Sequence, residues 1–236
     1  MLNKQLPEKK DLREDGVLLI HSIFYTIQGE GPFAGHPAIF VRLAGCNLQC
    51  PMCDTDYTST RFALSPSALV NEFDTFERRR ALVVITGGEP FRQTLFMAVH
   101  ALLAAGYRVQ IETNGTLYQD LPYDRITVVC SPKTGSVNAN LLPYIKAFKY
   151  VVSHDSVAED DLLPLTALGH SATPRLFREP KEHLNGMPRP RKTIYIQPAD
   201  HGNSEDNAKS MDAAIRAVLV HGYTLCLQIH KIIGVA

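Results

Sequence analysis

Short apolar or β-branched runs recur along the chain at 38–43, 81–86, 108–113, 125–131, 147–152, 193–198 and 224–228. Several are continuous rather than alternating, the pattern of strands buried on both faces. Between them the period lengthens. Ser65 followed by Pro66 predicts a helix start, a capping hydroxyl with proline at the first helical position, running to about Arg79. Leu95, Val99, Leu102 and Leu103 make an apolar stripe that stops at Gly106. A third helix starts near Asn203 or Ser204 and carries Ala208, Met211, Ile215, Val218 and Leu219 on one face. Strand and helix alternate, which predicts βαβ units around a parallel sheet. A closed eight-unit barrel takes about 250 residues, whereas six or seven units fit into these 236. The expected fold is therefore α/β, a partial (open) TIM-like barrel of parallel strands with outer helices, in a single domain.

Three segments stand outside this alternation. Residues 1–16 are charged and lack an apolar centre, so a flexible tail is expected rather than a secretory signal. Residues 171–192 are rich in Pro, Arg and Lys and read as a solvated insert loop, or alternatively as a lid or a docking patch for an acidic electron donor. The run Arg78, Arg79 and Arg80 reads as a helix C-terminus whose cations complement the dipole.

Composition narrows the partners. Lys plus Arg and Asp plus Glu are 24 each, so no overall field favours nucleic acid or an anionic membrane. The longest apolar-rich run, 95–107, is interrupted by His100 and is too short to span a bilayer. A cytoplasmic location is expected. Five cysteines is an odd number, and in a reducing compartment a tight group is a metal site sooner than a disulfide framework. Cys130 and Cys226 lie in strand-like runs and read as small buried residues.

The tight group is in residues 43–56, LAGCNLQCPMCDTD, where Cys46, Cys50 and Cys53 form a C-x3-C-x2-C spacing directly after a strand. A closed structural zinc site wants four ligands. A cubane 4Fe-4S cluster has four irons, so three thiolates would leave one iron open to a second cofactor. Other strand ends bring further chemistry to the same rim, where ligands collect in parallel α/β folds. Gly87 and Gly88 remove side chains where a ligand would meet the backbone, and Glu89 adds a carboxylate suited to an ammonium group. Residues 112–115 (ETNG), 131–133 (SPK), 197–198 (QP) and His230 each follow a run of their own.

The cysteine spacing followed by 87–90 (GGEP) resembles the radical S-adenosylmethionine superfamily. Residues 24–31 (FYTIQGEG), 42–46 (RLAGC), 53–55 (CDT), ETNG, SPK, QP and the terminal HK at 230–231 are similar, within it, to the 7-carboxy-7-deazaguanine synthase family. The likeness covers nearly the whole chain apart from the N-terminal tail and the insert. Ile229 stands where many relatives have Thr.

The resemblance implies conversion of 6-carboxy-5,6,7,8-tetrahydropterin to 7-carboxy-7-deazaguanine with loss of ammonia, in the route to queuosine. It implies a 4Fe-4S cluster on Cys46, Cys50 and Cys53, S-adenosyl-L-methionine on the open iron, and Mg2+ shared by Thr55 and the substrate. The cofactor's amine would go to Gly87, Gly88 and Glu89, its carboxylate to Lys133, its ribose to Glu112 and Ser131, and its adenine to Gln197. Gln28, Glu30, Arg42, Thr86, His230 and the carboxylate of Ala236 would contact the pterin. Asp54 reads as a loop tie. A flavodoxin or ferredoxin reductant and a homodimer follow from the same likeness. Two other readings remain at this point: a glycyl-radical-activating enzyme, and a metal-stapled interaction module with a fourth ligand such as His36.

Overall fold

The computed structural model describes residues 3–11, 13–76, 81–168, 176–178 and 192–235. They form one nine-stranded sheet in the order β3-β1-β2-β4-β5-β6-β7-β8-β9. The seven expected runs become β2 (Pro37–Leu43), β4 (Leu82–Gly87), β5 (Arg108–Thr113), β6 (Ile126–Cys130), β7 (Ile145–Val152), β8 (Thr193–Pro198) and β9 (Thr224–Leu225), each parallel to the next. The sheet ends on β3 and β9 rather than closing on itself, as an open barrel requires.

Two strands were absent from the apolar pattern: β1 (Leu18–Ile27) and β3 (Phe62–Leu64) add to the β2 edge as antiparallel strands. Only one side of β1 is consistently covered, so His21, Ser22 and Thr26 interrupt its apolar residues and hide the strand.

The helices start and stop for local reasons. Ser65 accepts a hydrogen bond from the Ala68 amide and opens α1 (Pro66–Glu72). Asn203 does the same for the Asp206 amide at the start of α3 (Ser204–His221), which ends where Gly222 turns left-handed at φ 70°. Between them in sequence lies α2 (Phe96–Ala104). No α-helix fills the β5–β6 or β6–β7 crossover, so the repeat is less regular than expected. The segment 224–228, read as one strand, pairs over only two residues. His230 consequently sits in a short helix, α4 (Ile229–Ile233), rather than at a strand end.

The sheet is two-faced. Ile39, Val41, Val83, Ile85, Val109, Ile111, Val128, Phe148 and Tyr150 belong to a continuous buried core with Leu69 of α1, Ala98, Val99 and Leu102 of α2, and Ala213, Ala214 and Ala217 of α3. The alternate positions of the same strands point the other way, because side chains alternate across a strand. On that inner face Ala38, Leu82 and Val84 pack with Phe33 and Phe40 near the strand starts. Toward the strand ends the inner face turns polar.

The N-terminal segment, expected to be a loose tail, lies across the cysteine loop. The Asn3 amide donates to Pro51 O at 2.8 Å, the Glu8 amide to Cys46 O at 2.7 Å and the Asp11 amide to Arg92 O at 2.7 Å. These bonds leave few orphan carbonyls on a loop too short to form its own ladder. The Arg78, Arg79 and Arg80 run and all of the 171–192 insert except 176–178 and 192 lie outside the described residues. No helix among the described residues is long and apolar enough to cross a membrane.

Candidate active site

A cavity of about 390 Å³ opens at the carboxyl ends of the parallel strands, within the size range of small-molecule sites. Every residue that the family resemblance assigned to the cluster, cofactor, Mg2+ or substrate lines it except Glu89 and Ala236, the latter lying outside the described residues. Strand periodicity explains the convergence. Arg42 is paired with Thr86 across β2 and β4, and Val151 with Gln197 across β7 and β8, so these inner-face positions arrive side by side.

Cys46, Cys50 and Cys53 all face this cavity. Burial pushes the Cys46 thiol up to about 12 and the Cys50 thiol up to about 11, and raises Cys53 as well. Thiols in this state release protons when they bind a metal. Among the described residues no three His, Cys, Asp or Glu groups gather closely enough for one metal ion. Three thiols lining one cavity are one ligand short of a closed structural zinc site. His36, the suggested fourth ligand of a stapled module, precedes the start of β2 and faces Phe33 and Arg108, whereas the cysteines follow that strand's end.

The strap shapes this loop through side chains too. Asn3 Nδ2 donates to Cys50 O at 3.1 Å, and Gln5 Nε2 to Thr55 O at 2.8 Å. Gln5 Oε1 accepts from the Tyr57 amide at 2.8 Å and from Thr58 Oγ1 at 3.0 Å. Gln5→Ala removes three bonds from one segment and is expected to cost about 1–2 kcal/mol. It should also speed iron loss to a chelator from reconstituted protein. Thermal melting and chelator-trapped iron measure the two effects separately.

The glycine pair also answers a packing demand. A Cβ on Gly88 would stand 2.0 Å from Gly45 O, and one on Gly87 2.3 Å from Leu43 O. Gly87 also holds φ at 126°, a value L side chains rarely adopt. The pair lets β4 press against the backbone of the cysteine loop while its own backbone lines the cavity.

Glu89 is fully buried and turned into the framework. Its carboxylate accepts from the Phe91 amide at 3.0 Å, Thr113 Oγ1 at 2.7 Å and the Asn114 amide at 2.7 Å. Burial pushes its pKa up to about 6 against these donors. Glu89 was expected at a cofactor amine; in the structure its oxygens tie the end of β4 to the end of β5.

The opposite wall contains a charged group that sequence reading missed. Lys149, on β7 between the buried Phe148 and Tyr150, makes an ion pair with Glu30 and lies 3.6 Å from Glu112 Oε2. Its sequence signal is a lysine in the middle of an apolar strand. Gln28 Nε2 donates to Glu112 Oε1 at 3.0 Å, and Gln228 Nε2 to Glu30 Oε1 at 2.9 Å. Burial pushes Glu30 up, but Lys149, Gln228 and His230 outweigh it and hold this carboxyl below the usual range. His230 packs over Gly29, where a Cβ would come within 2.0 Å of Nδ1. The glycine of the QGE motif thus makes room for α4.

Several groups in the cavity lack protein partners. Arg42 Nε and Gln197 Oε1 are buried without hydrogen bonds among the described residues. Lys133 bonds only to its neighbour Ser131, at 2.6 Å to Oγ and 3.0 Å to O, leaving its charge unpaired by a carboxylate. Thr55 lines the cavity, with its hydroxyl 3.3 Å from Asp54 Oδ1. An unanswered acceptor, two cations and three thiols fit a cluster with an amino-acid nucleoside and an anionic substrate.

Comparison with known proteins agrees with this donor set. A profile of the Radical SAM superfamily matches residues 41–128. The chain is 45% identical over 227 residues to the 7-carboxy-7-deazaguanine synthase of Rhodospirillum rubrum, covering 93% of each chain. It is 36% identical to that of Rickettsia prowazekii, covering 97% of this chain and 94% of the relative. In fold it is similar to the crystal structure of QueE from Escherichia coli, with a TM-score of 0.65 and 23% identity over 89% of this chain and 93% of that one.

Proposed function

We propose roles for the cavity residues from one premise: the chain belongs to the 7-carboxy-7-deazaguanine synthase family. It is a radical S-adenosylmethionine lyase of 7-deazapurine biosynthesis, converting 6-carboxy-5,6,7,8-tetrahydropterin to 7-carboxy-7-deazaguanine with loss of ammonia. This relationship sets aside the glycyl-radical-activating and stapled-module readings. The observation that supports the residue roles is that the cysteine loop and the Glu30, Lys149 and Glu112 group line one cavity.

When bound, the 4Fe-4S cluster and S-adenosylmethionine supply the 5'-deoxyadenosyl radical that starts the reaction. Cys46, Cys50 and Cys53 would hold the cluster. The backbone at Gly87 and Gly88 receives the amine, in place of the Glu89 carboxylate. Lys133 neutralises the methionyl carboxylate as a point charge. Ser131 bonds the ribose, and the unanswered Oε1 of Gln197 accepts from the adenine amine. Glu112, expected at the ribose, accepts from Gln28 and lies beside Lys149, so we assign it to the pterin wall. There Gln28, Glu30 and Thr86 read the ring edge, while Arg42 pairs with the substrate carboxylate. The Thr55 hydroxyl would hold a Mg2+ ion, an oxygen-preferring cation that would neutralise charge on the substrate. His230, over Gly29, closes the far side of the ring.

The reductant is a flavodoxin or ferredoxin, the assembly is a homodimer, and a reducing cytoplasm keeps the thiols free for the cluster. The test is anaerobic reconstitution with S-adenosylmethionine, reductant, Mg2+ and the carboxytetrahydropterin, read by mass spectrometry. Arg42→Lys is expected to raise KM by about 10- to 100-fold with a smaller change in kcat, because the bidentate pairing is lost. An unchanged KM would remove Arg42 from the substrate site.

A further inference from the structure

We propose that Lys149 is a specificity-determining positioning residue: by bridging Glu30 and Glu112 it holds the buried Glu30 as a carboxylate, so this wall selects ligand edges that present N–H donors. The inference deepens the reading of the cavity as the pterin site and rests on it.

The geometry carries the argument. Lys149 is only 8% exposed, yet its ammonium reaches two carboxylates from different strands and loops. Amide donors complete the arrangement: Gln28 and Gln110 both donate to Glu112 Oε1, at 3.0 and 2.9 Å, and Gln228 donates to Glu30 Oε1 at 2.9 Å. All these protein donors point at the carboxylates, so the pair is built to be an acceptor. One ammonium against two carboxylates leaves one net negative charge facing the cavity.

Without the ammonium, the buried Glu30 carboxylate would face Glu112 with no cation between them, and Glu30 would take up a proton. A carboxylate can only accept hydrogen bonds, whereas a carboxylic acid also donates. Lys149 therefore controls which ligand edge the wall can read. An aminopyrimidinone edge offers N–H groups. A dioxo ring, with oxygen in place of the amino group, would be rejected by an acceptor-only Glu30 but accepted by a protonated one.

The other titratable groups facing this pair are His230 on α4, Cys226 after β9 and Lys133 after β6. Removal of the Lys149 charge raises the Glu30 pKa above its present depressed value. The variant must then lose a proton before it regains the acceptor-only wall, so its selectivity returns as pH rises.

The experiment uses cluster-loaded enzyme with S-adenosylmethionine and two unreactive aromatic probes, 6-carboxypterin and 6-carboxylumazine, which differ in the amino or oxo group. Binding is followed by ring fluorescence between about pH 6 and 9, in wild type, Lys149→Met and Lys149→Arg. Wild type is expected to prefer the pterin by about tenfold or more at every pH, the scale of one charge-assisted hydrogen bond. Lys149→Met should lose this preference at the acid end and recover it at the alkaline end. Lys149→Arg should retain it.

An unchanged, pH-independent preference in Lys149→Met would overturn the role of Lys149. Wild type preferring neither probe would overturn the pterin reading of the cavity itself, and the inference with it. If Lys149→Met fails to fold, the double variant Glu30→Gln with Lys149→Met removes both charges. Full recovery of the wild-type preference in that double variant would show that the Glu30 carboxylate held by Lys149 does not read the ligand edge, against the proposal.

Discussion

Cys50→Ala is expected to abolish product formation, by more than about a thousandfold, while leaving the fold intact. The thiol is buried beside the cavity, and the bonds that hold its loop are made by backbone carbonyls, which alanine retains. Reconstituted variant should lack the brown absorbance of a 4Fe-4S cluster, with a melting temperature within a few degrees of wild type. Cys130→Ala and Cys226→Ala are the controls. Neither residue lines the cavity, so both variants should keep the cluster. Activity surviving Cys50→Ala, or cluster loss in the Cys130 control, would contradict the ligand assignment.

Gly88→Ala has the largest expected effect on the framework. Its Cβ would meet Gly45 O at 2.0 Å and Cys46 N at 2.8 Å, and both atoms are backbone, so no rotamer change relieves the clash. The β4 end and the cysteine loop must separate, at a cost of about 3 kcal/mol. For a chain of this size that lowers Tm by about 6–12 °C. The Glu89 amide bond to Gly45 O at 3.1 Å is strained by the same shift, so iron content should fall as well. Thermal melting and iron analysis read the two consequences. A variant of normal Tm and full iron content would mean that the loop can move without penalty.

Much of the architecture was legible because parallel strands flanked by helices advertise themselves as apolar runs. The seven runs all became parallel strands. β1 was less legible because one of its neighbours is the short edge strand β3 and its cover is partial. The site was legible where a motif dictates position, as at the cysteines and Gln28. Glu89 shows the limit: a carboxylate capping backbone amides has the same letter as one facing a ligand, and only the fold tells them apart. Lys149 shows the converse. A lone lysine in an apolar run looks like an edge or an interruption until its neighbours Phe148 and Tyr150 are seen to face the opposite side. The strap was misread for a third reason. Its attachment depends on polar side chains meeting loop carbonyls, and such contacts leave no hydrophobic period.

The docking of α4 against Gly29 also bears on how the molecule assembles in time. Gln228 and Glu30 are bonded across 198 positions of sequence, and Asn3 reaches the Cys50 carbonyl from the other end of the chain. Contacts of such long range close late, because loop-closure entropy must be overcome before they form. The sheet can condense from neighbouring strands while the pterin wall is still incomplete. During synthesis the cysteine loop emerges well before the residues that cover the far side of the cavity. The order of events then leaves the cluster loop accessible from the substrate side until the last helix arrives.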